Sequence, residues 1–464
     1  GVAPDQVVGD GIYTANLPGQ AAGAITVFYV EAVDAGAPAA TTRFPATAPT
    51  LSECHVIHGQ TLRTGDFGSY RFVMTQTSLT DWTNRQKLSN ELIDCTVVYN
   101  DVRAIYGSGI RYRGSPFIRP SYVSPIDDSR IAAYVFSVPK DQPLIGTDDF
   151  NLDALEQPVR DPSVQSERMA YWMAEQLGGM YSYQRYIHGM INTYPRGPIL
   201  ADTYQGGGEY VDTFFPGQGD GEFFEVDDWF EFNDNSQVTR EFNENAQLLN
   251  YTTTGGVKKQ ARYRWSWEKK NYGTTGDSHQ TIYDLVDALN QSNASLYTAQ
   301  VKSVIDIDSW ILDFAVRRIG VDWDGYGYER GKNTYLYRPP GDKVYMALWD
   351  LDFSFGSDGR AFDTGLLVNT NDPTLGNFYA NPEFSRLFPH ILRQAVDGPL
   401  NPAVFDTLAD DHYAVLAANS VPATAPTDMK TWVANRRAYI IGQISSMSSP
   451  AFAITTNGGS NFST

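Results

Sequence analysis

The sequence predicts an α+β protein with a strand-rich N-terminal half and a helical C-terminal half. In the first half, apolar and polar residues alternate between turns rich in Gly, Pro and Asp, which is typical of strands. In the second half, apolar residues recur at helical spacing, which is typical of amphipathic helices. The sequence shows no repeat of fixed period, which argues against a solenoid.

The two ends of the chain differ from its centre. Residues 1–46 contain two strand patterns, "DGIYTANLPGQ" and "AITVFYVEAVDAGA". Because two or three strands cannot form a core alone, we interpret 1–46 as the C-terminal part of an immunoglobulin-like or fibronectin-III-like β-sandwich. Residues 448–464 read as a linker or the first strand of a following β module. We therefore expect a central domain over 47–447, with flanking β-sandwich domains of the same chain as partners.

Within the central domain, strand and helix patterns are mixed. "VVYNDVRAIYGSGIRYRGS" and "RIAAYVFSVPKD" predict strands. "DPSVQSERMAYWMAEQLGG" predicts a helix that Asp161 caps, with Pro162 in its first turn and Gly178 at its end. "TIYDLVDALNQS" and "DIDSWILDFAVRRIG" predict two further helices, the second ending at Gly320. Two strands follow around "RPPGD", and three more helical patterns lie at about 383–396, 403–418 and 427–447.

Charge and hydropathy limit the classes of partner. With 35 basic and 54 acidic residues, the formal net charge is −19. A strongly acidic surface repels phosphate backbones, so we expect no nucleic-acid partner. An anionic nucleotide would need local cations, above all a divalent metal. No apolar run reaches the roughly 18 residues that a membrane span needs.

The two cysteines, Cys54 and Cys95, leave two interpretations open. One is a single disulfide in an exported protein, which would fit an extracellular or cell-surface location. The other is a pair of buried thiols.

A polar loop and a pair of aspartates form the strongest candidate site. The loop "VDWDGYGYERGKN" carries Asp324 and Asn333. Asp350 and Asp352 follow the second of the next two strands, and in strand geometry both side chains point to one side. A loop with an acid and an amide, followed by a hairpin that bears another acid, is the layout of a kinase active site. Carboxylate and amide oxygens are also the ligands that Mg²⁺ prefers.

Other chemistries fit this pattern less well. Asp-x-Asp pairs also occur at calcium sites and in turns at strand ends. Asp350 and Asp352 are too close in sequence to face each other across a glycosidic bond. The chain has no H-E-x-x-H, Cys/His cluster or G-x-S-x-G motif, which argues against zinc hydrolases and serine esterases. His188 fits a core histidine better than a catalytic one.

A family resemblance extends this interpretation. "GKNTYLYRP" and "WDLDFSFG" together resemble the signature of the CotH family of atypical protein kinases, named for a spore coat protein. "SGIRYRGSPF" and "SERMAYWMAEQLG" are similar to earlier segments of that family, in the same order. "DGEFFEVDDWFEF" and "TTTGGVKKQARYRWSW" look like segments of a branch found in large multidomain bacterial exported proteins. The resemblance covers roughly 55–445 and implies an atypical protein-kinase-like fold that binds ATP between its strand-rich and helical halves.

The resemblance also implies roles for the residues of the candidate site. Asp324 stands where the family has its catalytic-loop acid, and Asn333 stands at a loop metal ligand. Asp350 and Asp352 occupy the W-D-x-D positions, and one or both would bind a metal at the phosphates of ATP. The expected metal is Mg or Mn, with Ca as an alternative.

The cation that would face the phosphates is harder to place. Lys140 and Glu167 are one candidate for the lysine–glutamate pair of kinases, although Pro139 interrupts the strand just before Lys140. The family branch usually has lysine where this chain has Glu225. A basic cluster could supply the charge instead, and it contains Lys258, Lys259, Arg262 and Arg264.

We therefore expect an exported, metal-dependent, ATP-using phosphotransferase that acts on protein hydroxyls. The alternative is a weak or inactive pseudokinase, or a structural surface module stabilised by Ca²⁺.

Overall fold

The computed structural model describes most of the chain and divides it into two compact units. The first unit spans residues 1–154 and 186–202, and the second spans 155–185 and 203–464. The described residues are 7, 9–155, 160–232, 240–271, 276–367, 370–447, 454–455 and 461–462.

The first unit is built mainly from strands. Its elements are β1 (Ile25–Phe28), β2 (Val30–Val33), β3 (Thr41–Phe44), β4 (Cys54–Ile57), β5 (Gly68–Val73), α1 (Gln76–Asn84), β6 (Ile93–Tyr99), β7 (Arg103–Tyr112), β8 (Tyr134–Ser137), β9 (Asp149–Asp153), β10 (Gln184–Ile191) and β11 (Tyr194–Thr203). Seven strands form a closed barrel in the order β10-β11-β9-β8-β7-β6-β5. Parallel pairing of β5 with β10 closes the barrel, which leaves it without an open sheet edge.

Aromatic side chains fill this barrel. The rings of Phe136 and Phe150 are stacked with centroids 4.4 Å apart, and Tyr70 lies 4.9 Å from Phe136 in an edge-on arrangement. Leu152 and Ile187 are fully buried beside them. Alternating residues of each strand point inward, so the alternation seen in the sequence produces this apolar interior.

The N-terminal strands lie outside the barrel. β1 pairs with β4, and β2 forms a two-stranded sheet with β3. The assignment of residues 1–46 to a β-sandwich stays a prediction. In the C-terminal tail, β18 (Ile454–Thr455) pairs with β19 (Asn461–Phe462), and the other residues of 448–464 lie outside the described part.

The two cysteines do not form a disulfide. Cys54 in β4 and Cys95 in β6 are both free and buried. Burial raises the pKa of the Cys54 thiol to about 11 and also raises that of Cys95. The disulfide interpretation is therefore wrong, and the interpretation as two buried thiols is confirmed.

The second unit combines many helices with a small sheet. Its helices are α2 (Ser166–Gln176), α3 (Gly208–Phe214), α4 (Gln260–Ser266), α5 (Gln280–Leu289), α6 (Ala294–Val304), α7 (Ile307–Gly320), α8 (Leu375–Ala380), α9 (Pro382–Ser385), α10 (Leu387–Asp397), α11 (Pro402–Ala418) and α12 (Thr427–Ser446). Its strands before the tail are β12 (Glu222–Val226), β13 (Trp229–Phe232), β14 (Arg240–Glu244), β15 (Trp267–Asn271), β16 (Thr334–Arg338) and β17 (Tyr345–Leu348). An antiparallel sheet has the order β15-β12-β16-β17, and β13 pairs with β14. The predicted α+β class is confirmed.

Two predicted helix ends differ from the structure. α2 begins at Ser166 rather than at Pro162, but the Asp161 carboxylate still accepts a hydrogen bond from the Ser166 backbone N–H at 2.7 Å. α7 begins after the Asp306 cap and ends at Gly320. The residue that adopts a left-handed backbone at its C-terminal cap is Val321 rather than Gly320. A branched residue in that conformation is strained, so tertiary contacts hold the chain where the local sequence would not.

None of the helices in the described ranges is long and apolar enough to cross a membrane.

Candidate active site

Strand register brings the predicted site residues to one end of a hairpin. In the antiparallel pair of β16 and β17, Thr334 lies opposite Leu348. Asn333 precedes the first strand and Trp349 follows the second, so the loop that ends at Asn333 meets the segment that begins at Trp349. Two stretches that are 16 residues apart in sequence thus meet at one junction, which forms the site.

The backbone turns sharply at both sides of this junction. Asn333 and Asp350 each have a φ of 57°. Asn and Asp tolerate this left-handed conformation better than other non-glycine residues. Because β17 ends at Leu348, Asp350 and Asp352 do not lie in a strand. The prediction that strand alternation aims both carboxylates to one side is therefore wrong.

Asp324 lies in a buried network of charges. Its carboxylate forms an ion pair with Lys332 at 2.8 Å and lies 4.0 Å from Arg330. Asn333 donates from its side-chain amide to the backbone carbonyl of Asp324 at 2.6 Å and to its carboxylate at 3.2 Å. Arg330 also pairs with the buried Asp228 at 2.7 Å. The loop thus presents an acid, an amide and two cations within a few ångströms.

Arg317 of α7 fixes both halves of the junction. It forms an ion pair with the buried Asp322 at 2.7 Å and donates to the carbonyl of Trp349 at 2.8 Å. It also donates to the carbonyl of Asn333. Gly325 lies against this guanidinium, since a Cβ at that position would be 2.3 Å from it. Arg317 is therefore a positioning residue that holds the loop and the hairpin end together.

Helix α2 supports the other side of the junction. The backbone N–H of Asp350 donates to the hydroxyl of Tyr171 at 2.8 Å. The backbone N–H of Leu351 donates to the carboxylate of Glu167 at 3.3 Å. Tyr171 and Glu167 are one helical turn apart, so one face of α2 sets the position of Asp350.

Asp350 and Asp352 have different surroundings. The charge of Asp350 contributes to raising the pKa of Asp324, of Asp322 and of Lys332. The carboxylate of Asp352 instead lies 4.0 Å from Arg160, whose guanidinium lies 4.6 Å from the ring centre of Phe353. The sequence left the choice between the two aspartates open, and the structure associates Asp350 with Asp324.

Burial makes the carboxyl groups of the site hard to ionise. It raises the pKa of Asp322 to about 7, although Arg317 opposes the shift. Burial also raises the pKa of Asp324, with Lys332 opposing and the charge of Asp350 adding to the rise. For Lys332, burial lowers the pKa, but Asp324 and other carboxylates outweigh it and the net shift is upward. Strongly perturbed groups in one cluster are typical of functional sites.

The donor set fits a magnesium-type metal bound together with phosphate. Among the described residues, no group of three or more His, Cys, Asp or Glu side chains could hold a metal ion alone. The candidate ligands in the described part are therefore the carboxylates of Asp350 and Asp352 and the amide oxygen of Asn333. Mg²⁺ is commonly held by one or two carboxylates, with water and substrate phosphates completing its shell.

A comparison with protein families identifies the group to which this chain belongs. A family described as CotH kinase protein matches residues 110–440 of the 464-residue chain. The chain belongs to the CotH kinase family. The match includes every residue of the cluster just described, and it confirms the resemblance found in the sequence. The domain is therefore protein-kinase-like.

Other comparisons add little. A solved structure of the toxin–antitoxin system HipA–HipB of Shewanella oneidensis MR-1 with its operator DNA has 10% sequence identity and a TM-score of 0.26. The alignment covers 85% of this chain and 75% of that one. A likeness at this TM-score carries no argument. No curated protein matches the chain.

The predicted phosphate-binding cations have varied surroundings. Lys140 is exposed in a turn of the first unit, shortly after β8. Lys258 pairs with Asp287 at 2.6 Å, and Arg262 pairs with Glu244 at 2.9 Å and lies over the ring of Trp229. Lys259 is exposed at the start of α4. Glu225 pairs with Lys270 at 2.9 Å. Whether any of these residues contacts a nucleotide stays a prediction.

Sequence reasoning passed over three residues of the cluster. Lys332 stands next to Asn333 in the quoted motif, and its position was the available signal. Arg317 and Tyr171 carried no such signal, because each lies in an amphipathic helix and reaches the site only through tertiary contacts. His188 is buried in β10, and burial lowers its pKa to about 4, which agrees with a core histidine.

Proposed function

We propose that the protein is an exported, metal-dependent, ATP-using phosphotransferase that acts on protein hydroxyls. One observation carries the proposal: Lys332 and Asn333 both bond to the carboxylate of Asp324, and the charge of Asp350 raises the pKa of Asp324. Family membership supports the kinase-like chemistry.

Asp324 would accept or orient the substrate hydroxyl. In the transfer, the bond between the γ-phosphorus and its bridging oxygen breaks while a bond to the hydroxyl oxygen forms. The hydroxyl proton passes to the Asp324 carboxylate. Burial raises the pKa of Asp324, which makes it a better base, and the ion pair with Lys332 favours its charged form.

Asp350 and Asn333 would hold the metal, with Asp352 as the further candidate. A bound Mg²⁺ or Mn²⁺ supplies positive charge at the phosphates of ATP. Asn333 and Asp350 both have a left-handed backbone, and they lie in the two segments that meet at the junction.

Lys332 would supply the missing positive charge opposite the phosphates. It is buried, adjacent to Asn333 and already paired with Asp324. Approach of a γ-phosphate would give its ammonium a second anionic partner. This assignment places the phosphate-binding cation inside the loop rather than at Lys140.

The test is transfer of labelled phosphate from ATP, with Mg²⁺ or Mn²⁺, to the protein itself and to a general acceptor such as casein. We expect Asp324→Asn to reduce transfer by about 10²–10⁴-fold. The matched control is Asp411→Asn, on the exposed face of α11, which should keep full activity. Intact-mass analysis of the product distinguishes phosphoryl from nucleotidyl transfer. Absence of ATP binding by the folded protein with either metal would refute the proposal.

Two paired substitutions test the individual roles. Lys332→Met should weaken ATP binding and transfer, whereas Lys140→Met should do so only if the sequence-based assignment is right. Asp350→Ala should reduce phosphate transfer to a low rate that no longer depends on the metal. Asp352→Ala should reduce transfer less than Asp350→Ala does. If Lys140→Met and Asp352→Ala have the larger effects, the assignment of the cluster is wrong.

The same preparations test the non-catalytic alternative. A structural module stabilised by Ca²⁺ would melt at a higher temperature with Ca²⁺ and would ignore Mg-ATP. A phosphotransferase would melt at a higher temperature with Mg-ATP and would not respond to Ca²⁺.

A further inference from the structure

An open cleft in the first unit lies outside the candidate active site. It has a volume of about 620 Å³, within the usual range for small-molecule sites. Its lining comes from 22–23 just before β1, 59–64 after β4, Arg71 in β5, and Met190 with Thr193 around the turn between β10 and β11. Most of these residues precede the family match at 110–440.

Two arginines converge on this cleft. Arg71 is almost fully buried, and its guanidinium donates to the Gln60 side chain at 3.1 Å and to the carbonyl of Asn192 at 2.9 Å. Arg63 is exposed on the rim. Burial and the charge of Arg71 lower the pKa of Arg63, which reflects two like charges held near each other.

The carboxylate of Asp101 lies near both arginines. Asp101 lies 3.6 Å from Arg71 and accepts a hydrogen bond from the backbone N–H of Arg63 at 3.1 Å. His188 lies near Arg63, and because its pKa is lowered to about 4 it is neutral at pH 7. The local charge of these four groups is therefore one positive unit, in a protein whose net charge is −19.

The walls of the cleft are held in place before any ligand arrives. Gly59 has a φ of +64°, and a Cβ there would lie 2.7 Å from that of Ala22. Asn192 holds the opposite wall, since its side chain exchanges two hydrogen bonds with the backbone of Met74. A preformed cleft loses little entropy when it binds a ligand.

We propose that this cleft binds a small molecule that carries a phosphate or carboxylate oxyanion. Guanidinium binds either group through two parallel N–H···O bonds, and the guanidinium groups of Arg63 and Arg71 both line the cleft. The hydroxyls of Thr61, Thr64 and Thr193 add neutral donors along the lining. The cleft exceeds the size of a bare anion, so its apolar lining at Leu62 and Met190 would contact the rest of the molecule. The site is independent of the proposed phosphotransfer.

Calorimetric titration of the full chain at constant ionic strength tests the proposal. The probes are inorganic phosphate and glucose 6-phosphate, with acetate and gluconate as the carboxylate arm. We expect binding in at least one arm, and the stronger arm identifies the oxyanion. Arg63→Gln should weaken it by about tenfold, because a charge-assisted hydrogen bond is lost from an exposed residue. The matched control Arg103→Gln, an exposed arginine on β7, should leave it unchanged.

A second variant makes the result specific to charge. Asp101→Asn should strengthen binding by about three- to tenfold, since it removes the one opposing charge and keeps the side-chain shape. A purely structural role for Asp101 would not raise the affinity. Titration in the Lys332→Met background excludes phosphate bound at the candidate active site. Absence of binding up to about 20 mM, or equal affinity of Arg63→Gln and the wild type, would overturn the proposal.

Discussion

The barrel of the first unit and the candidate site of the second bury different kinds of side chain. The barrel interior contains rings and aliphatic groups, with Phe136 stacked on Phe150 and Leu152 beside them. The candidate site buries ions, with Arg317 against Asp322 and Lys332 against Asp324. Apolar burial favours folding by itself, whereas buried charges cost free energy unless they are paired.

This difference indicates that the buried charges of the candidate site lower the stability of the fold and are retained for function. Nothing in folding requires Asp228, Asp322 and Asp324 to be buried, with the half-buried Asp227 beside Asp228. The pKa of Asp227 rises to about 7 through burial and the repulsion of neighbouring carboxylates. Such clusters persist where chemistry needs them, and four variants test this contrast.

The largest effect is expected when the central cation of the site is removed. Arg317→Met should lower the free energy of unfolding by about 3–5 kcal/mol, because Asp322 is left buried without its partner. Urea denaturation measures the change. Adding Asp322→Asn to Arg317→Met should recover at least about 1 kcal/mol, since the stranded charge is gone. A loss for Arg317→Met no greater than that of a surface substitution would remove the proposed positioning role.

Truncation of an apolar side chain in the barrel should lower the free energy of unfolding somewhat less, because it removes packing and not a charge partner. Leu152→Ala should lower the free energy of unfolding by about 3 kcal/mol through lost burial and a residual cavity. No neutralisation of a nearby charge should restore it. Denaturation at pH 6 and pH 8 should give the same loss, and a strong dependence on pH would show that the barrel interior is less apolar than described.

Acid should weaken the barrel through a neutral buried histidine. His188 has a folded pKa of about 4 against about 6.5 when unfolded, so the unfolded chain binds more protons between these values. Its contribution is present above pH 6.5 and is lost as the pH falls towards 4, by roughly 2–3 kcal/mol. His188→Gln should flatten this part of the stability profile. His390→Gln, at an exposed position in α10, is the control and should not change it.

The smallest effect concerns backbone strain away from both regions. Ser420 follows α11, is exposed and has a φ of 58°. Ser420→Gly should raise stability by about 0.5–1 kcal/mol, because glycine adopts this conformation without a steric penalty. Thermal denaturation measures the gain. The left-handed Asn333 and Asp350 differ, since glycine there would remove side chains of the site. A loss of stability in Ser420→Gly would mean that its hydroxyl has a role.

The sequence predicted the presence of helices and strands more reliably than their first and last residues. The helices α5, α7 and α11 follow from apolar periodicity, and Asp306 and Asn401 cap the second and third of them as their residue types suggest. The short helices α3 and α4 were not predicted, because seven residues carry too little periodic pattern. The barrel closure was not predicted either, since the pairing of β5 with β10 joins strands more than 100 residues apart.

Within the site, the sequence by itself determined which residue types were available and which motif joined them. Asp324, Asn333 and Asp350 could be selected because hard oxygen ligands recur around a predicted hairpin. Only the tertiary structure decided that Asp350 acts on Asp324, and that Arg317 and Tyr171 hold the junction. The reason is that strand alternation stops at Leu348, beyond which side-chain direction depends on backbone conformation and distant contacts.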